Sequence, residues 1–183
     1  MVFRQSFANK QGVTAMSVSA DSRFVAFTSG NQNHDHPSRL GVLDTSSNQI
    51  VADHVIDGCN VYDIAYIGSD TILAGVYGGE FGEFDAGLLL IETDSGAIRW
   101  REHLGGIGVN LAVHPSQELV AVGFKSPDLR FYKTSDWSQH GSHTFKVTED
   151  VSERVTSLAF MHAGDRLAFG TSSGRFDIIE ISA

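Results

Sequence analysis

A single cysteine, Cys59, stands in 183 residues, so no internal disulfide framework holds this chain together. A lone thiol fits a reducing compartment, and the expected location is cytoplasmic. Nothing in its neighbourhood lowers a thiol pKa, so Cys59 reads as a plain small residue. Prolines number only three, and no apolar run is long enough to span a bilayer. The opening Met1-Val2-Phe3-Arg4-Gln5-Ser6-Phe7 has no signal-peptide core, so no membrane association is expected. Positive charge is scarce: 13 Lys and Arg against 22 Asp and Glu give a net charge of −9. The basic residues are scattered, which argues against a nucleic-acid partner, because phosphate binding needs a clustered basic surface. Phosphate loops and paired-Cys metal sites are missing. The expectation is therefore a non-enzyme without a cofactor.

What the chain does have is glycine, at 19, and phenylalanine, at 12, a balance that suits many short strands joined by tight turns. It also has a repeat. Met16, Ile64, Leu111 and Leu158 step by 48, 47 and 47 residues, each inside a short alternating segment such as Val13-Thr14-Ala15-Met16-Ser17-Val18. Ala26, Ala74, Ala121 and Ala168 keep the same steps inside apolar runs such as Leu119-Val120-Ala121-Val122. A polar turn separates the two columns each time. Third strands follow at Leu40–Leu43, Leu88–Ile91, Leu129–Tyr132 and Phe176–Ile179. Fourth strands are expected around Ile50-Val51-Ala52, Ile98-Arg99-Trp100 and Thr144-Phe145-Lys146. Four antiparallel strands in roughly 40–50 residues is the content of a propeller blade. The fold class is all-β: a β-propeller of four-stranded antiparallel blades, sixteen strands in all and essentially no helix. The blades run approximately over 13–55, 61–103, 108–147 and 155–182, forming a single domain or half-propeller.

Phe3, Ile50, Ile98 and Phe145 also step by 47, 48 and 47, which puts residues 2–7 in phase as a fourth strand. That strand is expected to complete the last blade, tying the two ends of the chain into one sheet. Segments such as Ser17-Val18-Ser19-Ala20-Asp21-Ser22-Arg23-Phe24-Val25-Ala26 and Ala112-Val113-His114-Pro115-Ser116-Gln117-Glu118-Leu119-Val120-Ala121 resemble the first hairpin of WD-repeat blades. The resemblance covers nearly the whole chain and is to a diverged member of the superfamily. No Gly-His pair opens a blade and no Trp-Asp pair closes a third strand; Asp136-Trp137 lies beyond the third strand, in the following turn.

With the strands of each blade lettered a to d in chain order, the b–c loops and the d-to-a connections in a fold of this kind share one face of the disc. The interval from the alanine column to strand c is 17 residues in the first two blades and 11 in the last two. Two adjacent blades therefore carry six-residue insertions on one face, and insertions of this kind map to binding faces. The candidate partner-binding residues are His34, Asp35 and His36 in one loop, and Glu80, Phe81, Glu83, Phe84 and Asp85 in the other. Phe81 and Phe84 read either as exposed aromatic anchors in an acidic surround or as rings folded back over the blade edge. His34 and His36 with the neighbouring carboxylates hold ligand types that zinc accepts, but no rigid spacing fixes a fourth ligand, and no metal is assigned. Asp63 and Asn110 stand where they could line a central channel. The remaining histidines, among them His54, His103, His114 and His140, read as surface polar groups.

The resemblance implies a protein-interaction module or scaffold of the WD-repeat-like type, binding a protein partner through the long-loop face. The alternative is a propeller enzyme or metal-dependent binder using His34, His36 and the acidic loop 80–85. Four blades are few for this superfamily. A twofold homodimer in which residues 2–7 of each copy complete the last blade of the other, closing an eight-bladed ring, is expected, against a compact four-bladed monomer, a different chain supplying the remaining blades, or a part of a longer propeller.

Overall fold

The computed structural model describes residues 12–30, 37–81, 85–106, 109–124, 128–145 and 153–181. Fifteen strands occur among them, with one 3-10 turn at Gly79–Phe81. The first blade is β1 (Gly12–Val18), β2 (Phe24–Gly30), β3 (Ser38–Asp44) and β4 (Gln49–Ile56). The second is β5 (Cys59–Ile67), β6 (Thr71–Gly78), β7 (Ala86–Glu92) and β8 (Ile98–His103). The third is β9 (Asn110–Val113), β10 (Leu119–Gly123), β11 (Asp128–Lys133) and β12 (Gln139–Thr144). The fourth has β13 (Val155–Phe160), β14 (Arg166–Thr171) and β15 (Phe176–Glu180). Each is a separate antiparallel sheet with its strands in sequence order, as hairpin-linked blades require. The chain is an all-β, four-bladed propeller. The expected sixteenth strand, residues 2–7, lies outside the described residues.

The strands end where the chain can turn. Asn48, Gly96 and Trp137 hold the same left-handed position in the c-to-d turns of three blades, with φ of 54°, 70° and 59°. Glycine takes that conformation without steric cost. Each of these turns is also pinned to the a-to-b turn of its own blade. The hydroxyls of Thr45, Thr93 and Thr134 donate to the carbonyls of Arg23, Asp70 and Gln117 at 2.8, 2.9 and 2.7 Å.

One strand departs from expectation. The fourth strand of blade three was placed at Thr144-Phe145-Lys146, but β12 begins at Gln139. The shorter b–c loop of that blade moves strands c and d together, because the c-to-d turn keeps its length. Tyr132 pairs with Gln139 as Ile91 pairs with Ile98, so the interval to Phe145 had no structural meaning. Phe145 instead sits just past the strand, buried against Phe169.

The core lies between blades. Three apolar clusters join blade one to two, two to three and three to four. Two close approaches in this core seat a valine in a glycine-floored hole. A Cβ on Gly75 would come within 2.7 Å of Val109, and one on Gly123 within 2.5 Å of Val155. The alanine column does not behave uniformly. Ala26 and Ala121 face the following blade, whereas Ala74 faces the preceding one. The cause is register: Ala74 pairs with Ile64, one residue out of step with the pairs Ser17–Ala26 and Ala112–Ala121. A one-residue shift turns a side chain to the other face.

Candidate functional site

The innermost strand of each of the first three blades carries a polar residue that reaches the next blade. Tyr66 N–H donates to Ser17 Oγ at 3.0 Å, Leu111 N–H to Asp63 Oδ2 at 2.9 Å, and Asn110 Nδ2 to the Val155 carbonyl at 2.9 Å. Asp63 also accepts the Ile64 N–H through its other oxygen, at 2.9 Å. Asp63 and Asn110, read from sequence as channel-lining candidates, serve here as latches between blades.

Burial raises the Asp63 pKa, opposed by its two backbone donors. A carboxyl whose folded pKa is raised binds its proton more tightly folded than unfolded. Its contribution is present below the unfolded value of about 3.9 and is lost as pH rises through the folded value. Asp63→Asn keeps an acceptor oxygen but no titration, and it loses one of the two bonds, worth about 1 kcal/mol. The deficit of this variant relative to the parent is expected to shrink as pH rises from 4 to 7 in urea melts. A constant deficit would show that the carboxylate is not desolvated.

On the long-loop face, His34, Asp35, His36, Glu83 and Phe84 lie outside the described residues. Glu80 falls in the 3-10 turn, between Gly79 and Phe81. Phe81 is half-buried and packs against the core of blades one and two. Its ring lies over Gly87, where an added Cβ would come within 2.6 Å. Of the two readings left open, Phe81 takes the one in which the ring folds back over the blade. Its other face stacks on His103, with centroids 6.2 Å apart and planes 12° from parallel. His103 Nε2 lies 3.0 Å from Asp85 Oδ2, and Gly78 N–H donates to the Asp85 carbonyl at 3.0 Å. The structure thus joins Phe81, Asp85 and His103 into a clasp that anchors one long loop to its own blade. Cys59 is buried beneath that loop, where a Cβ on Gly79 would meet its Sγ at 2.5 Å.

Beside the clasp, a cleft of about 560 Å³ opens between blades one and two, lined by Val13, Thr14, Gly30, Ser38, Asn60, Val61 and Tyr62. Tyr62 is 46% exposed and meets Tyr77 edge-on at 6.0 Å. Partial burial, then the nearby Tyr77, raises its hydroxyl pKa, so it remains a neutral donor and acceptor. Sequence reasoning passed over Tyr62 because it stands inside a strand. A signal was present: the column Thr14, Tyr62, Val109, Thr156 has small residues at its other three positions.

The opposite face, formed by the a-to-b turns, carries a cleft of about 670 Å³ between blades three and four. His114, Glu118, Lys133, His140 and Asp165 are among its polar walls, with Leu119 and Ile181 apolar. His114 is no loose surface group: Nε2 lies 3.0 Å from the Gly164 carbonyl and Nδ1 2.8 Å from Ser116 Oγ. His54 likewise bridges blades, with Nε2 at 2.9 Å from the Thr93 carbonyl. Among the described residues, no cluster of three or more His, Cys, Asp or Glu side chains is placed to hold a metal.

No protein-family model matches this chain, and no curated protein matches it by sequence. Solved structures do match. The computationally designed Ika4 protein superposes with a TM-score of 0.70 at 15% identity, over 100% of this chain and 99% of that one. The β-propeller domain of Myceliophteria thermophila Cps50 (Swd1) superposes with a TM-score of 0.68 at 12% identity, over 93% of this chain and 52% of that one. This chain therefore spans about half the length of the Cps50 chain and nearly all of the designed one. What it shares with both is the β-propeller fold.

Proposed function

We propose that this chain is a protein-interaction scaffold of the WD-repeat-like type, binding a protein partner through the long-loop face of blades one and two. The observation that carries the reading is the cleft of about 560 Å³ on that face, walled by the half-exposed Tyr62 and Val13 and reached by Gly30 and Ser38, the two flanks of the first long loop. An amphipathic aromatic at the mouth of a concave site of mixed polarity is the kind of anchor that protein interfaces are built around. The Phe81–His103–Asp85 clasp supports it by fixing one loop in place, which lowers the ordering cost of docking. The fold contributes a rigid disc that carries its loops at the rim. Fold alone does not give function, so the weight rests on the cleft.

Quantitative affinity capture from the source organism tests this, comparing the parent with Tyr62→Ala and with Lys133→Ala in the opposite cleft. Specific partners are expected to be retained by Lys133→Ala and lost by Tyr62→Ala, since a central aromatic anchor is worth about 2 kcal/mol or more. Partners retained by Tyr62→Ala and lost by Lys133→Ala would move the binding surface to the other face.

A further inference from the structure

The repeat allows each exposed residue on the two end blades to be compared with its buried counterpart inside the array. On the first blade, Val13 is 48% exposed, while its counterparts Val61 and Val155 are at 4% and 1%. Met16 is 68% exposed, against 4% for Ile64 and 9% for Leu111. The outer face of the fourth blade repeats the pattern. Phe176 and Ile178 are 67% and 45% exposed, whereas Leu129 and Phe131, each 47 residues earlier, are at 0% and 7%.

Leu129 and Phe131, together with Ala112 and Ala121, form the blade-three side of the junction with blade four. Phe176, Ile178, Ala159 and Ala168 are the same four positions one blade later. The other side of that junction is built by Val155 and Leu158, whose counterparts on blade one are Val13 and Met16. Gly123, which floors the hole for Val155, has Gly170 as its counterpart, and the nearest atoms a Cβ there would meet all belong to its own blade, Ser157 Oγ first at 2.8 Å. The two bare faces are therefore the two halves of one more junction. Among the described residues they do not close on each other, because the three interblade clusters join only successive blades. Bare apolar faces of this kind are covered in soluble proteins.

We infer that a second copy of this chain covers both. The outer face of blade four in each copy packs on the outer face of blade one in the other, seating Val13 over the partner's Gly170. Two identical seams then close a twofold ring of eight blades, and no face is left to extend the assembly. The two proposals share Val13 but are read separately, since the dimer is scored by mass and the loop-face function by partner capture.

Light scattering on the purified chain is expected to give the mass of two copies. Met16→Asp and Phe176→Asp, both at exposed positions, are each expected to weaken dimerisation at least a hundredfold without altering the far-ultraviolet spectrum. Each seam of either variant contains one altered face. Mixing the two variants in equal amounts should restore a dimer, because one seam of the mixed pair is unaltered on both sides. A monomeric parent, a ladder of larger assemblies, or variants that dimerise as the parent does would each overturn the inference. So would a mixture that stays monomeric.

Discussion

Phe169→Ala is expected to lower the stability of the chain by about 3–5 kcal/mol, the cost of deleting a fully buried aromatic ring. The ring is 1% exposed at the centre of the junction between blades three and four. Phe145 packs against it, tilted, at 5.2 Å, and His143 meets it edge-on at 6.4 Å. β14 runs between β13 and β15 with antiparallel pairing on both sides, so the backbone has little freedom to collapse into the cavity. A loss of that size is a large share of the 5–15 kcal/mol typical of a folded domain. Among the described residues the apolar clusters join successive blades, so the loss should fall first on blade four, as in other repeat arrays. Urea melts followed by tyrosine and tryptophan fluorescence would read it as a lowered midpoint. An unchanged midpoint would place Phe169 outside the core.

Gly123→Val is expected to cost about 3 kcal/mol, the upper end of the usual range for overpacking. The added carbon would stand within 2.5 Å of Val155, a side chain 1% exposed with no room to withdraw. Gly123 occupies an ordinary strand conformation, so the cost is steric and belongs to the junction. Truncating the opposing side chain should then return part of it: Gly123→Val with Val155→Ala is expected to be more stable than the sum of the two single losses predicts. A coupling of about 1 kcal/mol or more would show that the two residues meet. Strict additivity would mean that valine does not enter the glycine hole.

The columns at Met16 and Ala26 located every a and b strand, because the length between them is the same in all four blades. The c strands were equally readable, since β-branched and aromatic runs end in polar turns. The d strand of blade three was misplaced because a fixed period was carried through a loop that had lost six residues. The face on which the long loops sit was readable from loop lengths, whereas the cleft was not. Its wall is made by the starts of β1 and β5, and strand starts give no pattern that separates a lining residue from a core one. Asp63 and Asn110 stood out as polar residues near the starts of inner strands, but their use could not be read. Whether such a group points into a channel or at the next blade depends on the interblade spacing, which no local pattern encodes. Phe81 carried the same ambiguity, resolved only by Gly87, whose missing side chain makes room for the ring.

Amide hydrogen exchange on the parent chain tests the repeat architecture most directly. β2, β6, β10 and β14 each pair on both sides within a blade, and they hold the alanine column. Their amides are expected to exchange slowest, giving maxima of protection that recur at the 48-, 47- and 47-residue steps of that column, with fast exchange in the a-to-b turns between. Protection confined to one or two blades, or with no such period, would contradict a four-bladed propeller.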